Sequence, residues 1–339
     1  MFRVLQFLLA IFVLGLFLSG GCINRRDRMD SNAAPSDAAL PNPQRVSQWD
    51  EKDALTVPFE FNAASEGAPA VWLRLNGGKS RLFVVDTGCK PPLILWEETA
   101  RALHLQRRSK EARRSEKDDS DFHLCSVSLR CVSARGNVKS SVHLEKIKGI
   151  ILKSPFYFSD LYPVLPAGLI GNGLLQRLGR AVRFDFVAHR MTLYRHAHPP
   201  LFIPGATTVP LHKADGVYAV NAPLPDGSIQ EMLVDTGCEG HLYIPQRLAA
   251  RFKTREVAND GETFTDLTGK HGAIESLMPT LQVGDFIEKN VLTTQGQAGD
   301  SFCLLGVDYL SRFRVTLDYD HSELTLERAA DYKRHSYKP

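Results

Sequence analysis

Apolar positions in this 339-residue chain come in short runs that read as strands rather than as long helical stripes. The continuous runs "LFVV" (82–85) and "MLV" (232–234) each end in Asp-Thr-Gly. Each is followed by Cys, a few variable residues and a second oily run, "LILW" (93–96) or "LYIP" (242–245). A helix-like stretch comes next in both, "EETARALHL" (97–105) and "QRLAARF" (246–252). Further on, "VRFDFVAHRMTLYR" (182–195) and "VTLDYDHSELTLER" (315–328) alternate apolar and polar residues around a polar turn, as β-hairpins do.

These parallels extend to an internal duplication. Asp86 and Asp235 stand 149 positions apart (235 − 86), and "GLIGNGLLQRL" (168–178) is echoed by "CLLGVDYLSRF" (303–313). Between each Asp and its Gly-marked strand lies a polar tip containing glycine, "SARGNV" (133–138) with Gly136 and "TGKHGA" (268–273) with Gly269 and Gly272. Each reads as a projecting hairpin. The prolines of "HAHPPLFIPG" (196–205) break any ladder and mark the boundary between the copies. A period this long excludes a solenoid. It predicts an all-β protein of two homologous lobes, residues 55–198 and 199–330, related by a pseudo-twofold axis with one short helix per lobe, and a tail over 331–339.

The chain's first segment breaks this pattern. "FLLAIFVLGLFL" (7–18) is unbroken and apolar, follows Arg3, and precedes "SGGC". That length suits the apolar region of a signal peptide over residues 1–21 better than a membrane span. The small residues before Cys22 resemble a bacterial lipobox, although Ser19 stands where an aliphatic residue is usual. The resemblance implies a lipid on Cys22, and hence an exported, membrane-anchored protein facing the periplasm or cell surface; conventional cleavage nearby and an uncleaved anchor fit the same pattern. Residues 22–54 are polar and rich in Pro, Ala, Asn and Ser, with no periodic apolar face, and are expected to form a flexible tether.

A formal charge of +3 and a run of mixed sign, "QRRSKEARRSEKDDSD" (106–121), point away from nucleic acid. The six cysteines show no paired short spacing with His123 or His143, so no metal and no cofactor are expected. Cys125 and Cys131 share a strand-like stretch, which would hold them about 20 Å apart and out of disulfide reach.

Two Asp-Thr-Gly triplets in matched contexts carry a chemical implication that one does not. Two carboxyls held close together cannot both ionise, so they share a proton and offer a base and an acid together, a behaviour for which pepsin is the standard example. Asp86-Thr87-Gly88 with Leu169-Ile170-Gly171, and Asp235-Thr236-Gly237 with Leu304-Leu305-Gly306, resemble the aspartic peptidases: pepsin-like in having two lobes in one chain, retropepsin-like in the simplicity of each lobe. The resemblance spans roughly residues 55–330. It implies that Asp86 and Asp235 are the catalytic pair, that Thr87 and Thr236 lock the loops together, and that Gly88 and Gly237 let backbone approach the carboxyls. It further implies flaps near Gly136 and near Gly269 to Gly272, an extended polypeptide as substrate, and a monomer that assembles its own dyad.

The chain departs from that family after each triplet, where Cys89 and Cys238 replace the usual Ser, Thr or Ala. A thiol donates weakly, so a pH optimum less acidic than a digestive enzyme's is expected. A Cys89–Cys238 disulfide is compatible with the sequence but would seal or distort the cleft. Neither tip carries an obvious flap tyrosine; Tyr157 and Tyr162 read as core or cleft wall, and His241 as a partly exposed residue or a cleft-lining one. Two other functions fit parts of the pattern: a degenerate peptide-binding module on the same fold, and an actin-like sugar kinase with paired phosphate loops. The kinase requires following hydroxyls and long helices that this sequence lacks.

Overall fold

The computed structural model describes residues 46–48, 54–61, 67–105, 120–132, 138–152, 162, 164–195, 205–238, 240–252, 255–257, 263–266, 269–272, 274–296 and 302–328. Cys22, Gly136, Tyr157, the expected leader over 1–21, most of the expected tether over 22–54 and residues 331–339 lie outside them.

Three principal sheets organise the described residues. A seven-stranded sheet belongs to the first lobe and an eight-stranded sheet to the second. The third has six strands and is shared. Ala54–Pro58, Ala181–Asp185 and Arg190–Tyr194 come from the first lobe, and Ala206–Pro210, Phe313–Asp318 and Glu323–Arg328 from the second. Its central pairing, Ala181–Asp185 against Phe313–Asp318, joins the lobes antiparallel with Arg183 opposite Thr316. Both outer hairpins are those anticipated by alternation, with Thr192 opposite Arg183 and Thr316 opposite Thr325.

The continuous apolar runs are explained by burial on both faces. In Ser80–Asp86, Phe83 and Val85 enter the main core, while Leu82 and Val84 join a second cluster with Cys89, Trp96, Tyr162 and Leu169. In Ile229–Val234, Met232 and Val234 enter the main core, while Leu233 packs with Cys238, Tyr243, Phe302 and Leu304. A strand covered on both sides loses the polar half of its alternation. Tyr162 is accordingly a core residue, and its hydroxyl donates to the Ala68 carbonyl at 2.8 Å.

The expectation of one short helix per lobe needs correction. The described residues hold two in each: Glu97–Ala102 and Asn172–Leu178 in the first, Gln246–Ala249 and Val307–Leu310 in the second. The additional helices begin directly after Gly171 and Gly306, whose extended backbones turn the chain out of the buried strand. Leu174, Leu175 and Leu178 then cover one face of the core. A single helical turn or two is too short for a periodic signal to separate it from a strand end.

Cys125 and Cys131 share one strand, Ser120–Val132, as their spacing predicts. It pairs along its length with Val138–Leu152.

Ion pairs reinforce the shared sheet across the lobes. The Arg314 guanidinium donates to Asp185 at 2.8 Å and to Glu327 at 2.7 Å, while Arg183 donates to Glu327 at 2.5 Å. Replacing Arg314 by Ala removes one partner from both carboxylates of a half-buried network. Arg314→Ala is expected to lower unfolding stability by about 1–2 kcal/mol, read as a reduced denaturation midpoint at unchanged m-value.

Candidate active site

Each Asp-Thr-Gly loop is placed by a parallel strand pair. Asp86 lies at the end of Ser80–Asp86, with Val84, Val85 and Asp86 in register with Leu169, Ile170 and Gly171. Leu233 and Val234 pair in the same sense with Leu304 and Leu305, and the Asp235 N–H donates to the Leu305 carbonyl at 3.0 Å. The segments after the two glycines repeat the contact beneath each loop. Asn172 N–H donates to Cys89 O at 2.8 Å, and Val307 N–H donates to Cys238 O at 2.7 Å.

Gly171 and Gly306 are required by proximity. A Cβ on Gly171 would stand 2.2 Å from the Pro91 carbonyl oxygen, and one on Gly306 would stand 2.2 Å from that of Gly240. Gly88 and Gly237 face a still closer constraint. A Cβ at Gly88 would fall 2.3 Å from Asp235 Oδ2, and a Cβ at Gly237 would fall 2.4 Å from Asp86 Cγ. Each loop thus presses its backbone against the other loop's carboxyl, which only glycine permits.

The threonines lock the loops reciprocally. Thr87 Oγ1 donates to the Val234 carbonyl at 2.6 Å and accepts from the Thr236 N–H at 2.9 Å. Thr236 Oγ1 donates to the Val85 carbonyl at 2.7 Å and accepts from the Thr87 N–H at 3.1 Å. All four bonds cross between the lobes and are buried. Losing either hydroxyl would leave a buried carbonyl and a buried N–H without partners, at about 1–3 kcal/mol each.

Asp86 and Asp235 are brought together at this lock, 0% and 2% exposed. Asp235 Oδ1 accepts from the Gly237 N–H at 2.8 Å and from the Cys238 N–H at 3.2 Å. Among the described residues, no hydrogen bond of good geometry reaches either oxygen of Asp86. Burial raises the pKa of Asp86 well above the ordinary carboxyl range, and the adjacent Asp235 raises it further. Burial also raises Asp235, to about 6, against the opposing pull of its backbone donors. The pair therefore retains a proton where separate carboxyls would have none.

The cysteines after the triplets are not disulfide-linked. The Cys89 thiol is directed at the Pro91 carbonyl, at 3.7 Å, and burial together with both aspartates raises its pKa. It packs into the second apolar cluster.

His241 pairs with Asp308, Nδ1 to Oδ2 at 3.1 Å, with both side chains mostly covered. Of the expected flap residues, Gly269–Gly272 form a strand paired with Thr263–Asp266. Asp266 stands opposite Gly269 in that pairing, and Gly136 lies outside the described residues. No group of three or more His, Cys, Asp or Glu side chains suited to a metal ion occurs among the described residues.

Two site residues escaped the sequence reading. Asn172, fully buried, donates its side-chain amide to the Thr87 carbonyl oxygen, and its Oδ1 accepts from the Tyr319 hydroxyl at 3.1 Å. The available signal was a polar residue at a position where the second copy carries Val307.

No protein-family model matches the chain, and no curated protein matches it in sequence. Solved structures do match in shape. The aspartic proteinase from Irpex lacteus aligns with a TM-score of 0.50 at 12% identity, over 82% of this chain and 98% of that one. Conglutin gamma, a basic 7S globulin from lupine seeds, aligns at 0.48 and 10% identity, over 82% and 96%. A retropepsin-like aspartic protease from Rickettsia conorii aligns at 0.27 and 20% identity, over 36% of this chain and 89% of its own. The fold is the two-lobed, pepsin-like aspartic-proteinase fold.

A buried pair with raised pKa values makes a definite pH statement. The folded protein binds protons that the unfolded chain releases once pH passes about 4. Stability conferred by the dyad is complete below that pH and is lost as pH rises through about 6 and beyond. Asp86→Asn removes the repulsion, so the variant should be more stable than wild type at pH 7, with the gain vanishing below pH 4. Urea denaturation of both proteins across pH measures the difference.

Proposed function

We propose that this protein is an aspartic endopeptidase that hydrolyses extended polypeptide with a water activated between Asp86 and Asp235. The observation that carries the reading is the dyad itself: two buried carboxyls from distant parts of the chain, locked face to face by four threonine hydrogen bonds. In the monoprotonated pair, the ionised carboxyl takes a proton from water as the water oxygen bonds to the scissile carbonyl carbon. The protonated carboxyl gives its proton to the carbonyl oxygen. In collapse of the tetrahedral diol, the carboxyl that took the water proton passes it to the nitrogen as the C–N bond breaks, and the other, now ionised, takes one hydroxyl proton, so the dyad is again monoprotonated and the amine leaves neutral. Thr87, Thr236, Gly88 and Gly237 hold this geometry and take no chemical part.

A peptide-binding module without turnover is the weaker reading. Two repelling carboxyls lower stability at neutral pH, and binding alone gains nothing from them. Export and lipid attachment at Cys22 are supported by the apolar run at 7–18 and the small residues before the cysteine. They would place the two lobes outside the cytoplasm on a tether, acting as a monomer on polypeptide in the periplasm or at the cell surface.

A peptide-library digest across pH tests the activity. Asp86→Asn and Asp235→Asn should each lower kcat by at least about a thousandfold while the fold is kept, and a statine-type transition-state mimic should inhibit the wild type. Retained cleavage in either variant would remove the proposal.

The cysteines set a separate expectation. Serine at positions 89 and 238 supplies stronger donors near the carboxyls, which favours the ionised form. The Cys89→Ser, Cys238→Ser double variant should carry the acid limb of its pH–rate profile to lower pH than the wild type; an unmoved limb would show that these side chains do not tune the dyad.

A further inference from the structure

Pseudo-symmetry makes the two aspartate loops close copies in backbone, and one buried side chain breaks that symmetry. Gly171 and Gly306 correspond, so Asn172 occupies the place of Val307. Their N–H groups bond equivalently to Cys89 O and Cys238 O. Beyond the backbone they differ. Val307 is buried and apolar, whereas the Asn172 side chain reaches the carbonyl of Thr87. The orientation of the amide is set by its partners, because a carbonyl can only accept and the NH2 must therefore face Thr87. That leaves Oδ1 to receive the Tyr319 hydroxyl.

Tyr319 belongs to the second lobe, at the end of the shared-sheet strand Phe313–Asp318. Its own N–H donates to the Arg180 carbonyl of the first lobe at 2.9 Å, and its ring packs on Tyr218 with centroids 5.1 Å apart. A chain of hydrogen bonds thus runs from the inter-lobe sheet, through Tyr319 and Asn172, to the peptide that joins Thr87 to Gly88. The N–H of that same peptide belongs to Gly88, whose backbone lies so close to the dyad that a Cβ on it would stand 2.3 Å from Asp235 Oδ2, and there it favours the ionised form of the pair. A donor on a peptide's carbonyl polarises the peptide and strengthens its N–H as a donor in turn.

We propose that Asn172, oriented by Tyr319, is a positioning residue that polarises the Thr87–Gly88 peptide toward the carboxyl pair and makes the first aspartate loop chemically distinct from the second. The inference rests on the peptidase reading for its kinetic consequences and on the dyad's own titration otherwise.

Three variants test it: Asn172→Val, which gives the first loop the residue of the second; Tyr319→Phe, which keeps the ring and removes the hydroxyl; and the two combined. The dyad's titration is followed by carboxyl 13C NMR, alongside kcat and KM on a cleaved peptide. Without the polarising donor the ionised dyad is less favoured. Asn172→Val should therefore move the titration, and the acid limb of the rate profile, to higher pH by about half a unit. It should lower kcat about tenfold with KM little changed. Tyr319→Phe should act in the same direction and more weakly, and the combined variant should be no worse than Asn172→Val, as expected of one chain of bonds. Folded variants whose titration matches the wild type overturn the proposal, whatever their stability or kcat. Additive effects in the combined variant overturn it too. If Asn172→Val does not fold, Tyr319→Phe decides by the same titration. If the wild type cleaves no peptide, the peptidase reading falls while the titration still judges Asn172.

Discussion

Two carboxyl groups buried against each other repel and resist desolvation, so the structure around them must supply the force that keeps them together. The reciprocal threonine bonds supply it at shortest range. Each hydroxyl satisfies one carbonyl and one N–H of the opposite loop, so parting the loops would expose four buried polar groups without partners. The glycines complete the constraint. Gly88 and Gly237 admit backbone to a distance at which any Cβ would strike the facing carboxyl. Repulsion is then relieved by a retained proton rather than by separation.

The wider architecture acts through the same point. The parallel strand pairs fix each aspartate from beneath, and the cores on both faces of Ser80–Asp86 and Ile229–Val234 prevent those strands from tilting. The shared six-stranded sheet sets the distance between lobes through backbone ladders, with Arg183, Asp185, Arg314 and Glu327 cross-linking its centre. Duplication yields two loops of equal backbone shape. Inequality enters at the carboxyls and beneath them: Asp235 accepts from two backbone N–H groups, no well-aligned donor among the described residues reaches Asp86, and Asn172 stands where the second copy has Val307. A matched scaffold with unmatched electrostatics is what an acid and a base made from the same residue type require.

Much of the fold was legible because duplication is written in local pattern. The triplets, the downstream glycines and the two outer hairpins each leave a run of residues with its own periodicity, and their repetition implied paired β-lobes. The helices after Gly171 and Gly306 were not legible, since four to seven residues leave too little periodicity to oppose an adjoining strand. Gly269 and Gly272 bound a short strand paired antiparallel with Thr263–Asp266, a partner that a glycine-bearing polar stretch does not by itself specify.

By itself the sequence determined that this chain carries two copies of one strand-and-loop unit, each presenting an acid, a hydroxyl and a glycine in fixed order. Those are covalent facts about neighbours. The tertiary structure decided that the two acids meet, that each threonine serves the other lobe and that Tyr319 reaches Asn172. Each of these contacts spans 147 to 151 positions and depends on how two sheets dock. A side chain's partner across such a separation leaves no trace in the spacing of residues beside it, so only the folded arrangement could supply it.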